Sequence, residues 1–238
     1  MHLSADGGHV LSGGDKFDFI FTAGAGNEFK AGGGNDVVYA GNGGSTVHGG
    51  SGNDLVFAGG INNHLFGDQG DNLLAVNAGN TGGGNWLVGG RGFDVLVANR
   101  AGEAAIDKGG GDNLIIFKEN AGTSFGHASV VGGQGNNTLR FIINNQNPAG
   151  EHVLRAEFQD IVKAFTASLS TNHKGEFAID GLDVSGITGL QLQVDSVDAK
   201  IPYLVDHNIV QTVGYVADIP SPVQHLLQQA ALWGLLTA

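Results

Sequence analysis

From Ser4 to Arg140 an apolar residue returns at every ninth position, with only two interruptions. Cut into nonapeptides from Ser4, fourteen units fit: eight as far as Ala75, four from Asn80 to Ile115, and two from Thr123 to Arg140, separated by insertions at Val76–Gly79 and Ile116–Gly122. The eighth position reads Leu11, Ile20, Phe29, Val38, Val47, Val56, Leu65, Leu74, Leu87, Leu96, Ala105, Leu114, Val130 and Leu139. Each unit pairs a glycine-rich half, where positive φ permits a tight turn, with a three-residue stretch whose alternation sends the apolar middle residue inward. A disordered glycine linker would not keep an apolar residue at that interval.

Gly-Gly-Ser-Gly-Asn-Asp-Leu-Val-Phe at 49–57 and Gly-Gly-Arg-Gly-Phe-Asp-Val-Leu-Val at 89–97 resemble the G-G-x-G-x-D-x-U-x nonapeptide of RTX (repeats-in-toxin) proteins, the hemolysin-type calcium-binding repeats. The resemblance implies a mainly β fold: a right-handed parallel β-roll, a two-sheet solenoid with two nonapeptides, or 18 residues, per turn. About seven turns at the usual strand spacing would make a rod about 34 Å long. It also implies calcium (Ca2+) bound between neighbouring loops of one edge.

Sorting the units by parity separates the two edges such a roll would have. The sixth position reads Asp18, Asp36, Asp54, Asn72, Asp94, Asp112 and Asn137 on one edge, and His9, Asn27, Ser45, Asn63, Asn85, Glu103 and Ala128 on the other. Calcium takes six to eight oxygens, from carboxylates and backbone carbonyls, and stacked carboxylates about 5 Å apart repel unless a cation lies between them. The candidate metal residues are therefore Asp18, Asp36, Asp54, Asn72, Asp94 and Asp112, with the loop glycines Gly32, Gly34, Gly50, Gly52, Gly90 and Gly92. The best pairs are Asp18/Asp36, Asp36/Asp54 and Asp94/Asp112, and about three to five sites are expected. The bland alternative is Asp as a turn cap. Asn and Ser on the opposite edge should close their loops on the backbone without metal.

Positions seven and nine flank the inward residue. After the Asp-type loops they read Phe19/Phe21, Val37/Tyr39, Leu55/Phe57, Leu73/Ala75 and Val95/Val97, so that sheet is apolar on both faces. An exposed apolar strip of this size calls for a cover: the C-terminal region folded back, a second copy meeting it through Phe19, Phe21, Tyr39 and Phe57 in a homo-oligomer, or a hydrophobic ligand or surface.

Composition changes where the repeats stop. Of 42 glycines, 35 precede residue 141, and all four prolines follow it, which divides the chain into a roll over 4–143 and a C-terminal α+β capping or secretion-signal region over 150–238. Apolar spacing predicts helices over 156–169 and 223–236 and strands near 176–180 and 190–194. A net charge of −12 disfavours nucleic acid and attracts cations. The chain has no cysteine and so no disulfide or thiolate chemistry. No apolar run is long enough for a transmembrane segment, and the residues ahead of the first repeat show no signal-peptide pattern.

His-Glu-x-x-His, Gly-x-Ser-x-Gly and phosphate-cradling glycine patterns are missing. Of the nine histidines, the four inside the repeats, His9, His48, His64 and His127, occupy different repeat positions, and the acidic pairs Asp180/Asp183 and Asp195/Asp198 suit turns. The sequence thus points to a non-enzymatic calcium-binding protein. The RTX resemblance implies extracellular localisation, with type I export directed by the C-terminal tail, and a structural, surface or adhesion role that could engage polysaccharide or a cell surface. Two alternatives stand beside it: a C-terminal module of an extracellular protease, lipase or polysaccharide epimerase, and an ice- or polysaccharide-binding solenoid.

Overall fold

A computed structural model of the chain describes residues 2–4, 6–76, 83–99, 103–106, 109–119, 128–144, 148–171, 175–195, 209–214, 218 and 220–232. Most of the insertion at Val76–Gly79, His127, His173, His207, Asp198 and the tail from Trp233 lie outside these residues.

Two sheets stack along a common axis, with strands numbered in chain order. Sheet I contains β1 (His2–Ser4), β3 (Phe19–Thr22), β5 (Val37–Ala40), β7 (Leu55–Ala58), β9 (Leu73–Val76), β11 (Val95–Asn99), β13 (Leu114–Glu119), β15 (Thr138–Asn144), β18 (Gly189–Asp195) and β19 (Ile209–Gly214). Sheet II contains β2 (Val10–Ser12), β4 (Glu28–Gly33), β6 (Thr46–Ser51), β8 (His64–Gln69), β10 (Trp86–Arg91), β12 (Glu103–Ile106), β14 (Ala128–Val131), β17 (Leu182–Ser185) and, at its edge, β16 (Phe177–Ile179). Every neighbouring pair is parallel except β18/β19 and β16/β17, which are antiparallel. This is a β-solenoid whose five most regular turns run from β2/β3 to β10/β11.

Registry follows from the constant loop length. Val38 lies opposite Ile20 and Val56, and Leu74 opposite Val56 and Leu96, so the inward residues form one column per sheet. Ile20, Phe29, Val38, Val47, Val56, Leu65, Leu74, Leu87 and Leu96 are all fully buried in the core between the sheets.

The expected division at residues 144–150 does not separate two cores. Helix α1 (Pro148–Ser170) leaves the stack after β15. Leu154, Phe158, Ile161 and Phe165 join the same inter-sheet cluster, with Phe158 edge-on to Phe141 at 5.8 Å between centroids. The chain then returns as β17 and β18, which pair in parallel with β14 and β15. Thus the C-terminal segment adds a further coil to the stack, closed by the antiparallel strands β16 and β19. The predicted helix over 156–169 is longer at its N-terminal end, where Pro148 suits a first-turn position.

The apolar strip on the outer face of sheet I is covered from within the chain. Helix α2 (Ser221–Leu232) places Val223 and Leu226 in one buried cluster with Val37, Leu55, Phe57, Leu73, Ala75, Val95 and Val97. Of the four residues expected to meet a second copy, Phe57 is buried in this cluster, while Phe19 and Tyr39 at its margin and Phe21, stacked on Tyr39 at 5.0 Å, are half-buried.

Candidate metal-binding edge

Glycine is required in these loops on two counts. Gly34, Gly52 and Gly92 have φ of 104°, 120° and 123°, and Gly32, Gly50 and Gly90 have 106°, 105° and 122°, a region L side chains rarely enter. There is also no room: a Cβ on Gly52 would lie 2.1 Å from the carbonyl oxygen of Gly34, and one on Gly50 2.1 Å from that of Gly32. The loops are stacked backbone on backbone, so carbonyl oxygens crowd this edge. In the Gly32/Gly50/Gly90 column the intervening loop has Asp68, itself left-handed at φ 68°, with its carboxylate 3.1 Å from Nδ1 of His48.

Along that edge the sixth-position residues form a ladder. The amide of Asp18 donates to Oδ1 of Asp36 (2.7 Å), that of Asp36 to Oδ1 of Asp54 (2.8 Å), and that of Asp54 to Oδ1 of Asn72 (3.0 Å). The series continues from Asn72 to Asp94, from Asp94 to Asn113, and from Asn113 to Asn137. One side-chain oxygen per turn is thereby spent on the preceding turn's amide. Asp36, Asp54, Asn72, Asp94, Asn113 and Asn137 are all buried.

The second carboxyl oxygen sets the chemistry. Oδ2 of Asp36 and of Asp54 is buried with no hydrogen-bond partner, while Oδ2 of Asp18, nearer the end of the roll, accepts from the amide of Gly14 at 2.8 Å. Burial pushes the Asp36 carboxyl up to about 6 and the Asp54 carboxyl to about 7; the amide bonds of the ladder oppose the rise, and the neighbouring carboxylate of the column adds to it. A buried carboxylate oxygen among backbone carbonyls is an all-oxygen, net negative environment, the donor set a hard divalent cation such as calcium takes. The residues present fit that ion. Among the described residues no group of three or more His, Asp or Glu side chains could hold a metal, so a cation here would draw on the backbone as well as the carboxylates.

Asp112 does not stack on Asp94. The ladder steps from Asp94 to Asn113, 19 residues on, and the amide of Asp94 donates to Asn113 Oδ1 at 2.7 Å. Strand β13 is correspondingly shifted: Leu114 pairs with Val95 and Ile115 with Leu96, so Ile115 points into the inter-sheet core and Leu114 into the outer cluster, the reverse of the expectation. The extra residue between the two turns causes the shift. Asp112 belongs instead to a second ladder, one position earlier and of opposite polarity. In it the amides of Asn53, Asp71 and Phe93 donate to Oδ1 of Asn35, Asn53 and Asp71, and that of Asn136 to Oδ1 of Asp112. The fifth-position Asn and Asp residues were the available signal for it.

The opposite edge carries a ladder of its own, with the amides of His9, Asn27, Ser45 and Asn63 donating to the side-chain oxygens of Asn27, Ser45, Asn63 and Asn85. There the Asn amide groups bond loop carbonyls, as Asn27 does to Gly24 (3.0 Å) and Asn63 to Gly59 (2.8 Å). Asn and Ser close those loops on the backbone.

Compared with known families, residues 12–47, 30–60, 48–81 and 80–100 match the RTX calcium-binding nonapeptide repeat in four copies. No curated protein and no solved structure matches the chain.

Proposed function

We propose, from the match of residues 12–100 to the RTX calcium-binding nonapeptide repeat, that this β-roll binds calcium along the edge that carries Asp18, Asp36, Asp54 and Asp94, and that the ion completes its folding. The observation that carries the reading is the pair of buried, unpartnered oxygens, Oδ2 of Asp36 and of Asp54, the latter set against Gly49 of its own loop. The carboxylates would hold calcium together with backbone carbonyls of the loops around Gly32, Gly34, Gly50, Gly52, Gly90 and Gly92. When bound, calcium supplies the positive charge that lets stacked carboxylates remain ionised while buried. Asn72 offers a neutral oxygen already engaged in the ladder, and Asp112 stands outside the column, so both contribute less than their sequence positions imply.

RTX repeats are typical of secreted proteins, and no described helix is long and apolar enough to cross a membrane. The role we propose is that of an exported, non-enzymatic protein that works through its calcium-stabilised surface. Repeat coils that close only where calcium is abundant suit export in an open state and completion of folding outside the cell. Since binding to the native state alone contributes RT ln(1 + [L]/Kd), the test is thermal unfolding in calcium chloride and in EGTA. A midpoint that rises with calcium supports the reading, and one that does not move overturns it.

A further inference from the structure

The ladder residue places its second side-chain atom at the same point in the Asp turns and the Asn turns. A Cβ built on the first loop glycine would lie 2.5 Å from Oδ2 of Asp54 (at Gly49) and of Asp94 (at Gly89), and 2.7 and 2.9 Å from Nδ2 of Asn72 (at Gly67) and Asn137 (at Gly132). The atom differs in kind. In the Asn turns it is a donor with a carbonyl in front of it: Asn72 Nδ2 donates to Gly70 O at 2.9 Å, Asn113 Nδ2 to Gly111 O at 3.1 Å, and Asn137 Nδ2 to Gly186 O at 3.0 Å. At Asp36 and Asp54 the corresponding atom is an acceptor without a donor.

We infer that asparagine takes the place of the cation in this roll: at Asn72, Asn113 and Asn137 the side-chain amide supplies the positive end that calcium supplies at Asp36 and Asp54. Those three turns close without metal. The inference rests on the calcium reading and adds a division to it. The turns of Asp36 and Asp54 form a calcium-requiring stretch, and Asn72 separates them from Asp94. From Asn113 onward the column contains no ladder carboxylate and is backed by the α1 core through Phe141 and Phe158. Such a molecule keeps its C-terminal coils folded when calcium is removed and lets its N-terminal coils loosen.

The distribution follows from the bonding of each group. An amide hydrogen bond is internal and present at any calcium concentration, whereas the donorless Oδ2 of Asp36 and of Asp54 is satisfied only by a proton or an ion. Asn72 is thus a seam, bonded on one side to a turn that needs calcium, through the amide of Asp54, and on the other to the carboxylate of Asp94.

Two measurements on the full chain test this. Hydrogen exchange in calcium chloride and in EGTA should show amides in 28–58 exchanging faster without calcium by about tenfold or more, while those in 128–143 and 182–194 change by less than about twofold. Native mass spectrometry of Asn72→Asp, whose fold is checked by far-UV circular dichroism, should show one more calcium than the parent chain. Equal loss of protection at both ends, or a folded Asn72→Asp with no added ion, overturns the inference and leaves the calcium reading standing. A parent chain that takes up no calcium at millimolar concentration overturns the calcium reading and this inference with it.

Discussion

The amide of Asp36 donates to Oδ1 of Asp54 across one turn at 2.8 Å, and the other oxygen of that Asp54 carboxyl is buried with no partner. One half of the side chain is fixed by the fold and the other half is left without a donor. Replacing that oxygen by an amide should settle the turn permanently. Asp54→Asn is expected to bind one calcium fewer by native mass spectrometry. In EGTA it should melt about 2–4 °C above the parent for each ~1 kcal/mol recovered from the unsatisfied group. A lower midpoint in EGTA would count against the orphaned oxygen as a source of instability.

Proton linkage gives a second expectation. The folded-state values of Asp36 and Asp54, about 6 and about 7, lie above that of an unfolded aspartate, near 4. The metal-free fold therefore holds these protons more tightly than the unfolded chain does. Its stability in EGTA is full below about pH 4 and declines as pH rises through about 6 to 7. Calcium needs the ionised forms, so its affinity should strengthen over the same interval. Urea midpoints from pH 4 to 8, with and without calcium, should diverge as pH rises, and parallel curves would refute the linkage.

Loop glycines should differ in their tolerance of a methyl group. Gly52→Ala meets both a φ of 120° and the Gly34 oxygen at 2.1 Å, and should cost about 2–3 kcal/mol or more. Gly26→Ala on the other edge has a φ of 69° and nothing within 4 Å, and should cost about 1 kcal/mol. Urea denaturation in calcium compares them, and similar losses would show that stacking distance is not the constraint.

How far these features could be read from the sequence depended on loop length. From Leu11 to Leu96 the inward column was readable, because the loops that set it keep their length apart from one insertion and every slip would expose an apolar residue. In Gly-Gly-Gly-Asp-Asn-Leu-Ile-Ile-Phe the local pattern is ambiguous, since either Leu114 or Ile115 could face inward, and only the pairing with Val95 and Leu96 decides. The coil of β17 and β18 was hidden for another reason. Helix α1 separates it from β15, and Thr188, whose amide bonds the carbonyl of Asn137, comes 51 residues later with no glycine–aspartate loop to announce it. Which carboxyl oxygen is left over is a property of the stacked turns and has no signature in a single repeat.

Because α1 shares the inter-sheet core, Phe158→Ala should destabilise the whole molecule by about 3–5 kcal/mol. In calcium a single calorimetric transition should move as a unit. Two transitions, only one of them shifted, would restore a separate C-terminal domain.

Undocking α2 should be visible at the surface. Leu226→Asp puts a charge into the cluster of Val37, Leu55 and Leu73 and is expected to raise ANS fluorescence and promote self-association in size-exclusion chromatography, with the strand signal in circular dichroism retained. An unchanged elution volume and dye response would mean that the helix is not the cover of that face.

The position of α2 in the chain bears on how the molecule is made. The strip it covers is built by strands from β5 to β11, but the covering side chains, Val223 and Leu226, are synthesised long after the last of those strands. A nascent chain whose coils closed early would carry a greasy, unguarded flank throughout the rest of its synthesis. A requirement for calcium in the first coils would postpone that exposure, because without the ion the flank does not yet exist as a surface.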